Sequence, residues 1–275
     1  MVIINKGTSS TNSATITREV VRWQNDQLSH ASDTLIEEVP IALVYNGISH
    51  VVMMASPTHL ADFALGFSLT ENIIQSESEL RDLDIVENDK GIELHIQISP
   101  RRLSELKTHR RNLTGRTGCG LCGSESLEQA IRPLKPLKSA YQLTDHAIQN
   151  AVHQLEKHQP LQAQTGACHG AAWCSAQGDI QLVREDIGRH NALDKLIGAI
   201  KQSAVNTDSG FTLVSSRASY EMVHKAVTAG IHSLVSVSAP TSLAVKLAED
   251  ANLSLIGFAR PQRHVCYTNR FSENT

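Results

Sequence analysis

The chain has 275 residues, 41% of them hydrophobic, and a formal net charge of -3. That apolar content can build one large core or two ordinary ones and excludes a disordered chain. The near-neutral balance excludes a general nucleic-acid binder or a partner of acidic membrane surfaces, so any anion site must be local. Five cysteines, Cys119, Cys122, Cys168, Cys174 and Cys266, are odd in number and scattered, which argues against a disulfide framework and for a cytoplasmic location. The opening run Met1-Val2-Ile3-Ile4-Asn5-Lys6 carries no leader pattern. No later apolar run approaches the roughly 20 residues of a membrane span.

In chain order, residues 1–16 are small and polar and are expected to fray. Residues 17–115 read as a small α+β domain: a strand at His50 to Ala55, a helix starting at Ser56-Pro57 with Leu60, Phe63, Ala64 and Phe67 at helical spacing, and a strand in which Ile92, Leu94, Ile96 and Ile98 alternate with polar residues before Pro100 closes it. A basic linker follows (Arg101, Arg102, Lys107, Arg110, Arg111, Arg116) and leads into a cysteine loop at 115–124 expected to be mobile. Residues 116–275 read as a second domain. It has a helix through Ile148, Val152 and Leu155, a hairpin over Ala171 to Gln181, and a helix over Ala192 to Ile200. A βαβαβ run follows: Phe211 to Ser215, Ser219 to Gly230, Ile231 to Ser238, Pro240 to Asn252 and Leu253 to Ala259. Parallel strands with helical crossovers place ligand-binding loops at the strand C-termini, so Ser215-Ser216-Arg217, Ser238-Ala239-Pro240-Thr241 and Phe258-Ala259-Arg260 are expected along one rim.

The chemistry concentrates at Gly118-Cys119-Gly120-Leu121-Cys122-Gly123. Neighbouring cations favour the thiolate, and the glycines favour an exposed loop over a packed core. Three readings are open. A structural zinc needs two more ligands, and Cys168-His169 would have to fold back to supply them. A redox pair of the thioredoxin kind normally opens a helix directly after a strand, which this loop does not. A persulfide carrier needs one swinging nucleophilic thiol, with Cys119 as the carrier and Cys122 as an assisting or resolving thiol.

The polar run Glu185 to Lys195 reads as too polar for the core. In it Arg189 offers a planar fork for phosphate or a carbonyl-bearing ring, and Asp194 an acceptor for a guanine-type edge. Arg217 and Lys225 add charge where a strand passes into a helix, a place at which backbone N–H groups meet anions; the plainer reading of the serines and threonines there is helix capping. Arg260 and Arg263 reach outward beside Phe258. Around Cys168-His169 a deaminase-like H-x-E pattern fails, because position 171 is Ala171 and the C-x-x-C lies before the histidine.

Together these motifs resemble the formate dehydrogenase accessory sulfurtransferases, FdhD. The match runs through Glu37-Glu38-Val39-Pro40, Asn46-Gly47, Leu65-Gly66-Phe67, the cysteine loop, Glu185 to Lys195, Glu221-Met222-Val223, Ser238-Ala239-Pro240-Thr241 and Gly257-Phe258-Ala259-Arg260. The resemblance implies a fold of a small N-terminal α+β domain plus an α/β C-terminal domain of cytidine-deaminase-like architecture. It implies a sulfurtransferase that takes sulfur as a persulfide on Cys119, assisted by Cys122, from a cysteine desulfurase. The sulfur goes to Mo-bis(molybdopterin guanine dinucleotide), bound as a substrate, for the client formate dehydrogenase. It further implies that Phe258, Ala259, Arg260, Pro261, Gln262 and Arg263 contact the cofactor with Arg189, His190, Asn191 and Arg217 as neighbours. A homodimer, no permanent metal, no nucleic acid and no membrane complete the expectation. The chain departs from the family pattern at Ser216, where glycine is usual, and at Ser68, where leucine is. A cofactor-binding chaperone without sulfur chemistry and a C-x-x-C redox or zinc module are the competing functions.

Overall fold

The computed structural model describes residues 3–5, 13–114, 134–138, 143–203, 205 and 209–268; Cys119, Cys122 and the loop expected at 115–124 lie outside the described residues. The first half runs β1 (Ile3–Asn5), β2 (Thr15–Gln24), β3 (Gln27–Ile36), β4 (Val39–Tyr45), β5 (Ile48–Ala55), α1 (Leu60–Thr70), β6 (Leu80–Asn88), β7 (Gly91–Ile98) and α2 (Pro100–Thr114). Strands β1-β6-β7-β4-β5 form a five-stranded sheet in that order. Within the stretch expected to fray, Ile3–Asn5 pair in parallel with β6.

Strands β2 and β3 form a separate two-stranded ribbon that the sequence pattern does not announce. Its turn is Asn25-Asp26, both with positive φ (50° and 59°), the geometry that closes a two-residue hairpin. Val21, Trp23 and Leu28 on the ribbon are exposed, so no half-buried face exists to print a period-2 pattern.

The α1 helix starts at Leu60 rather than at Ser56-Pro57, because the Ser56 N–H and hydroxyl both donate to Asp186 Oδ2 (3.0 and 2.9 Å) and hold that residue in the preceding loop. His59, at φ 51°, then turns the chain into the helix. As far as Thr114 the basic run is likewise a helix, α2, and not a linker, and Arg116 lies outside the described residues. Pro100 sits at its start, where a missing N–H costs nothing, and Leu106 is buried while Arg102 donates to Glu79 (2.8 Å).

The second half runs α3 (Asp145–Leu155), α4 (Pro160–Thr165), β8 (His169–Cys174), β9 (Ile180–Asp186), α5 (Arg189–Gln202), β10 (Phe211–Val214), α6 (Tyr220–Thr228), β11 (Ser233–Ser236), α7 (Ser242–Asp250), β12 (Ser254–Arg260) and β13 (Arg263–Cys266). The six-stranded sheet has the order β13-β12-β11-β10-β8-β9. Its centre, β10-β11-β12, is parallel, with α6 and α7 as crossovers, as the βαβαβ pattern predicts. Ala171 and Trp173 belong to the core under α5, α6 and α7, whereas Ala172 and Cys174 pack with Ala147, Ile148 and Ala151 of α3. Helices therefore cover both faces of this sheet.

One continuous core joins the two halves, running from Ile41 and Leu94 of the first sheet through Phe63 and Leu196 to Leu234 and Leu255. Its centre is the crossing of α1 on α5. Nine residues of α1, including Phe63, Leu65, Phe67 and Leu69, are buried, and so is every residue of α5 from Asn191 to Ile200. A helix buried on all sides is a central core element rather than an amphipathic surface one, and each large apolar side chain so buried contributes roughly 1.5–3 kcal/mol. The departure at Ser68 is accommodated inside this core: its hydroxyl lies 2.6 Å from the Ala64 carbonyl and 2.8 Å from the Tyr45 hydroxyl. The helices touch through glycine, since a Cβ on Gly66 would lie 1.7 Å from the Asp194 carbonyl oxygen and one on Gly198 1.9 Å from that of Asp62.

Candidate functional site

The sheet gathers five segments on one edge. The C-terminal ends of β10, β11 and β12 share that edge because the three strands are parallel. Strand β8 is antiparallel to β10, which brings its first residue, His169, to the same side; β9 is antiparallel to β8, and its last residue, Asp186, pairs with His169. Backbone bonds tie the loops together: Ser215 N–H to Gly170 O (2.9 Å), Thr241 N–H to Ala218 O (3.1 Å) and Phe258 N–H to Ser238 O (3.1 Å). This is the expected rim, extended by His169 and by the turn into α5.

Two helix N-termini open onto it. Gly188 precedes α5 and has no side chain to cap it; Ser219 precedes α6, and its buried hydroxyl makes no cap bond and has no partner among the described residues. Thr241 by contrast caps α7, accepting from Ala244 N–H (3.2 Å), so the capping explanation holds there and fails at Ser219. Helix N-termini with free N–H groups favour anions. The nearby cations agree: Arg189 is partly buried with its Nε unpartnered among the described residues, and Arg217, Arg260 and Arg263 are exposed. His190 Nε2 lies 2.7 Å from Glu221 Oε2, which links the two helix starts.

Phe258 holds φ at 52°, which is rare for an aromatic residue and the kind of backbone strain that collects at functional edges. The Arg263 guanidinium sits over its ring at 5.2 Å. Gln262 is also left-handed, and its N–H donates to Gln149 Oε1 (2.7 Å), which anchors the exposed Pro261-Gln262 turn to α3. Ala259 is fully buried, so only its backbone belongs to the edge. Ser216 is buried and turns its hydroxyl onto the Arg217 carbonyl (3.1 Å), leaving Arg217 to face outward.

The run Glu185 to Lys195 corrects the sequence reading. It is core: Glu185, Asp186, Asn191, Asp194 and Lys195 are all buried. Asn191 donates to Met54 O (2.9 Å) and Asp186 Oδ1 (3.0 Å), so its side chain faces inward. Asp194 accepts from Thr70 (2.7 Å) and from Lys225 (2.9 Å), and Lys225 also reaches Glu71 (3.0 Å). Neither Asp194 nor Lys225 is open to a guanine edge or a phosphate. Burial works against the Lys225 charge, but the Asp194 and Glu71 carboxylates hold its pKa above the usual lysine range. Each charge satisfies another, and that is what permits burial. Arg189 and His190 are left as the outward-facing members of the run.

Burial lowers the pKa of His169, with Arg189 adding to the effect; burial lowers His190 too, against the pull of Glu221. His59 is lowered for the same first reason. With folded values below the ordinary 6.5, the unfolded chain binds more protons on acidification. Stability is therefore fully present above about pH 6.5 and is lost as pH falls through the folded values. The melting temperature is expected to be flat between about pH 7 and 8 and to decline below about 6.5, with a shallower slope in His190→Gln; calorimetry across pH checks both.

Among the described residues, no three His, Cys, Asp or Glu side chains gather as a metal site, and no helix is long and apolar enough to cross a membrane. The described cysteines are poor nucleophiles. Burial pushes the Cys168 thiol up to about 11, and it pushes Cys174 and Cys266 above the ordinary thiol range as well.

The architecture is a mixed α/β protein of several sheets with a cationic rim at its strand ends. The chain belongs to the FdhD/NarQ family, whose sequence model matches residues 36–272. It is 52% identical over 250 residues to a sulfur carrier protein FdhD of Cupriavidus necator, covering 91% of this chain and 87% of that one. It is 46% identical over 265 residues to the protein of that name from Xanthomonas oryzae, covering 96% and 94% of the two chains. A crystal structure from Desulfotalea psychrophila, assigned as a formate dehydrogenase accessory protein, superposes with a TM-score of 0.74 at 22% identity, over 94% of this chain and 98% of that one. The family resemblance carried by the sequence motifs is thereby established.

Proposed function

We propose that this chain is a sulfur carrier. It takes sulfur from a cysteine desulfurase as a persulfide on Cys119 and delivers it to Mo-bis(molybdopterin guanine dinucleotide), its bound substrate, for a formate dehydrogenase. The observation that carries the reading is the segregation of the thiols: the three described cysteines are buried or half-buried with raised pKa values. Thiolate chemistry therefore falls to Cys119 and Cys122, in their glycine-rich basic setting. Family membership and the relatives' name agree with this.

The transfer balances without an outside oxidant. The Cys119 thiolate attacks the terminal sulfur of the donor persulfide, and the donor cysteine leaves as thiolate. For release, the Cys122 thiolate attacks the inner sulfur of the Cys119 persulfide, hydrosulfide departs toward molybdenum, and a Cys119–Cys122 disulfide remains. The two electrons on the departing sulfur come from the thiol pair, so a thiol reductant must reset it each cycle. Incubation with a cysteine desulfurase and cysteine, followed by peptide mapping, is expected to place a one-sulfur mass increase on Cys119; a modification confined to Cys168, Cys174 or Cys266 would sink the reading.

The rim is read as the seat of the guanine dinucleotide. Arg189, His190 and Arg217 meet its phosphates, and the Phe258–Arg263 segment its rings. Arg189→Ala is expected to weaken binding of GDP, a fragment of the substrate, by about 1.5–3 kcal/mol, tenfold or more, as titration calorimetry would measure. We read the second half as cytidine-deaminase-like from its parallel β10-β11-β12 centre between helical layers, and the assembly as a homodimer. The rim alone would also suit a cofactor-binding chaperone with no sulfur chemistry. That protein would still activate its client with alanine at both Cys119 and Cys122, whereas a carrier would not.

A further inference from the structure

Between β9 and α5 the fold buries an ion pair that no ligand can reach: Asp186 and Lys195 are both fully buried. Their bonding is asymmetric. Asp186 Oδ2 accepts from Lys195 Nζ (2.6 Å), Ser56 N–H (3.0 Å) and the Ser56 hydroxyl (2.9 Å). Its Oδ1 accepts from Gly188 N–H (2.8 Å) and Asn191 Nδ2 (3.0 Å). Lys195 also donates to the Ser56 carbonyl (2.9 Å) and hydroxyl (3.0 Å).

Buried ion pairs of this kind are often replaceable by apolar residues with no loss of stability, so stability alone does not explain the pair. The Oδ1 bonds do. Gly188 is the residue before α5 and has no side chain to fix the helix start. Asp186, two residues upstream, ties the turn instead by accepting from the Gly188 N–H and the Asn191 side-chain amide, and leaves the first N–H groups of α5 free. The turn is tight, since a Cβ on Gly188 would lie 2.9 Å from Asn191 Nδ2. Arg189 and His190 are the next two residues, and they are the outward-facing members of the run. Whatever orients the Asp186 carboxylate orients them.

We propose that Lys195 is a positioning residue: its ammonium, clamped with Ser56 of the first half, holds the Asp186 carboxylate in the orientation that fixes the Gly188–Asn191 turn and thereby aims Arg189 and His190 at the rim. Neither Lys195 nor Asp186 touches the substrate. The two halves of the chain meet at this clamp, because Ser56 precedes α1 and Lys195 lies about two turns into α5. The effect on ligand binding rests on the rim being the guanine dinucleotide site; the effect on the turn does not.

The test uses two readouts on the full chain: the His190 Hε1 resonance, assigned with His190→Gln, and the dissociation constant for GDP. Lys195→Met leaves a buried carboxylate without its cation, and the His190 resonance is expected to shift and GDP affinity to drop at least tenfold. Asp186→Asn/Lys195→Met removes both charges and keeps the Oδ1 acceptor, but its amide turns a donor toward the Ser56 N–H, so the resonance and the affinity are expected to return only part of the way toward wild type. A folded Lys195→Met with wild-type resonance overturns the proposal. So does a double variant whose resonance lies further from the wild-type position than that of Lys195→Met. Should Lys195→Met not fold, Asp186→Leu/Lys195→Met replaces it; this variant lacks charge and acceptor alike, and a wild-type resonance in it overturns the proposal too. If the wild-type protein does not bind GDP, the guanine reading of the rim falls while the resonance still decides the role of Lys195.

Discussion

Cys119→Ala is expected to reduce sulfur loading to the level of a protein-free control while leaving the melting temperature unchanged. Burial pushes the Cys168 thiol up to about 11 and holds Cys174 and Cys266 above the ordinary thiol range, so at pH 7 each supplies far less thiolate than a free cysteine. The three are therefore expected not to replace Cys119 as the acceptor. Cys122→Ala should behave differently. It removes the resolving thiol and leaves the acceptor, so the persulfide on Cys119 accumulates and discharges only when an external thiol is added. Wild-type loading in Cys119→Ala would end the carrier mechanism. Rapid discharge in Cys122→Ala without added thiol would end the resolving step alone.

The parts of the molecule that were legible in the sequence are those whose burial is simple. Strands β10, β11 and β12 are buried on both faces and read as short apolar runs, and the loops between them carry the serines, threonine and proline of the rim. The rim followed from that topology, and the arginines on it from their position. The β2–β3 ribbon was not legible, because a strand exposed on both faces carries no hydrophobic period. Helix α2 was hidden by its charge, and so was the site's inner layer. Charged side chains are almost never fully buried unless paired, and the pairing of Asp186 with Lys195, or Asp194 with Lys225, joins elements that no sequence spacing connects. A polar run reads as surface until its partners are visible. Ser56, read as a helix start, and Thr70, which carried no signal, gave no sign that they bring the first half into both clusters.

Gly66→Ala is expected to destabilise the fold by about 3 kcal/mol or more, which for a chain of this size lowers the melting temperature by roughly 6–12 °C. The added Cβ would sit 1.7 Å from the Asp194 carbonyl oxygen and 2.9 Å from the Gly198 amide nitrogen. Both are backbone atoms of a helix buried along its length, so no side chain can swing aside and α1 must lift from α5. Lifting breaks more than packing. Thr70 at the end of α1 bonds Asp194 (2.7 Å), and Ser56 just before α1 bonds Lys195 (3.0 Å) and Asp186, so both buried charge clusters lose a partner from the same displacement. Gly198→Ala meets the Asp62 carbonyl from the other side of the same crossing and should cost a similar amount. Because the two substitutions separate one pair of helices, the second is expected to add little to the first, and a double variant whose loss equals the sum of the singles would show that the glycines act independently. Linking the crossing to the rim gives a further consequence. In Gly66→Ala the His190 resonance should move with the loss of stability, since the clamp that aims the α5 N-terminus takes Ser56 from the chain leading into α1; a destabilised variant with an unmoved resonance would uncouple the helix crossing from the site.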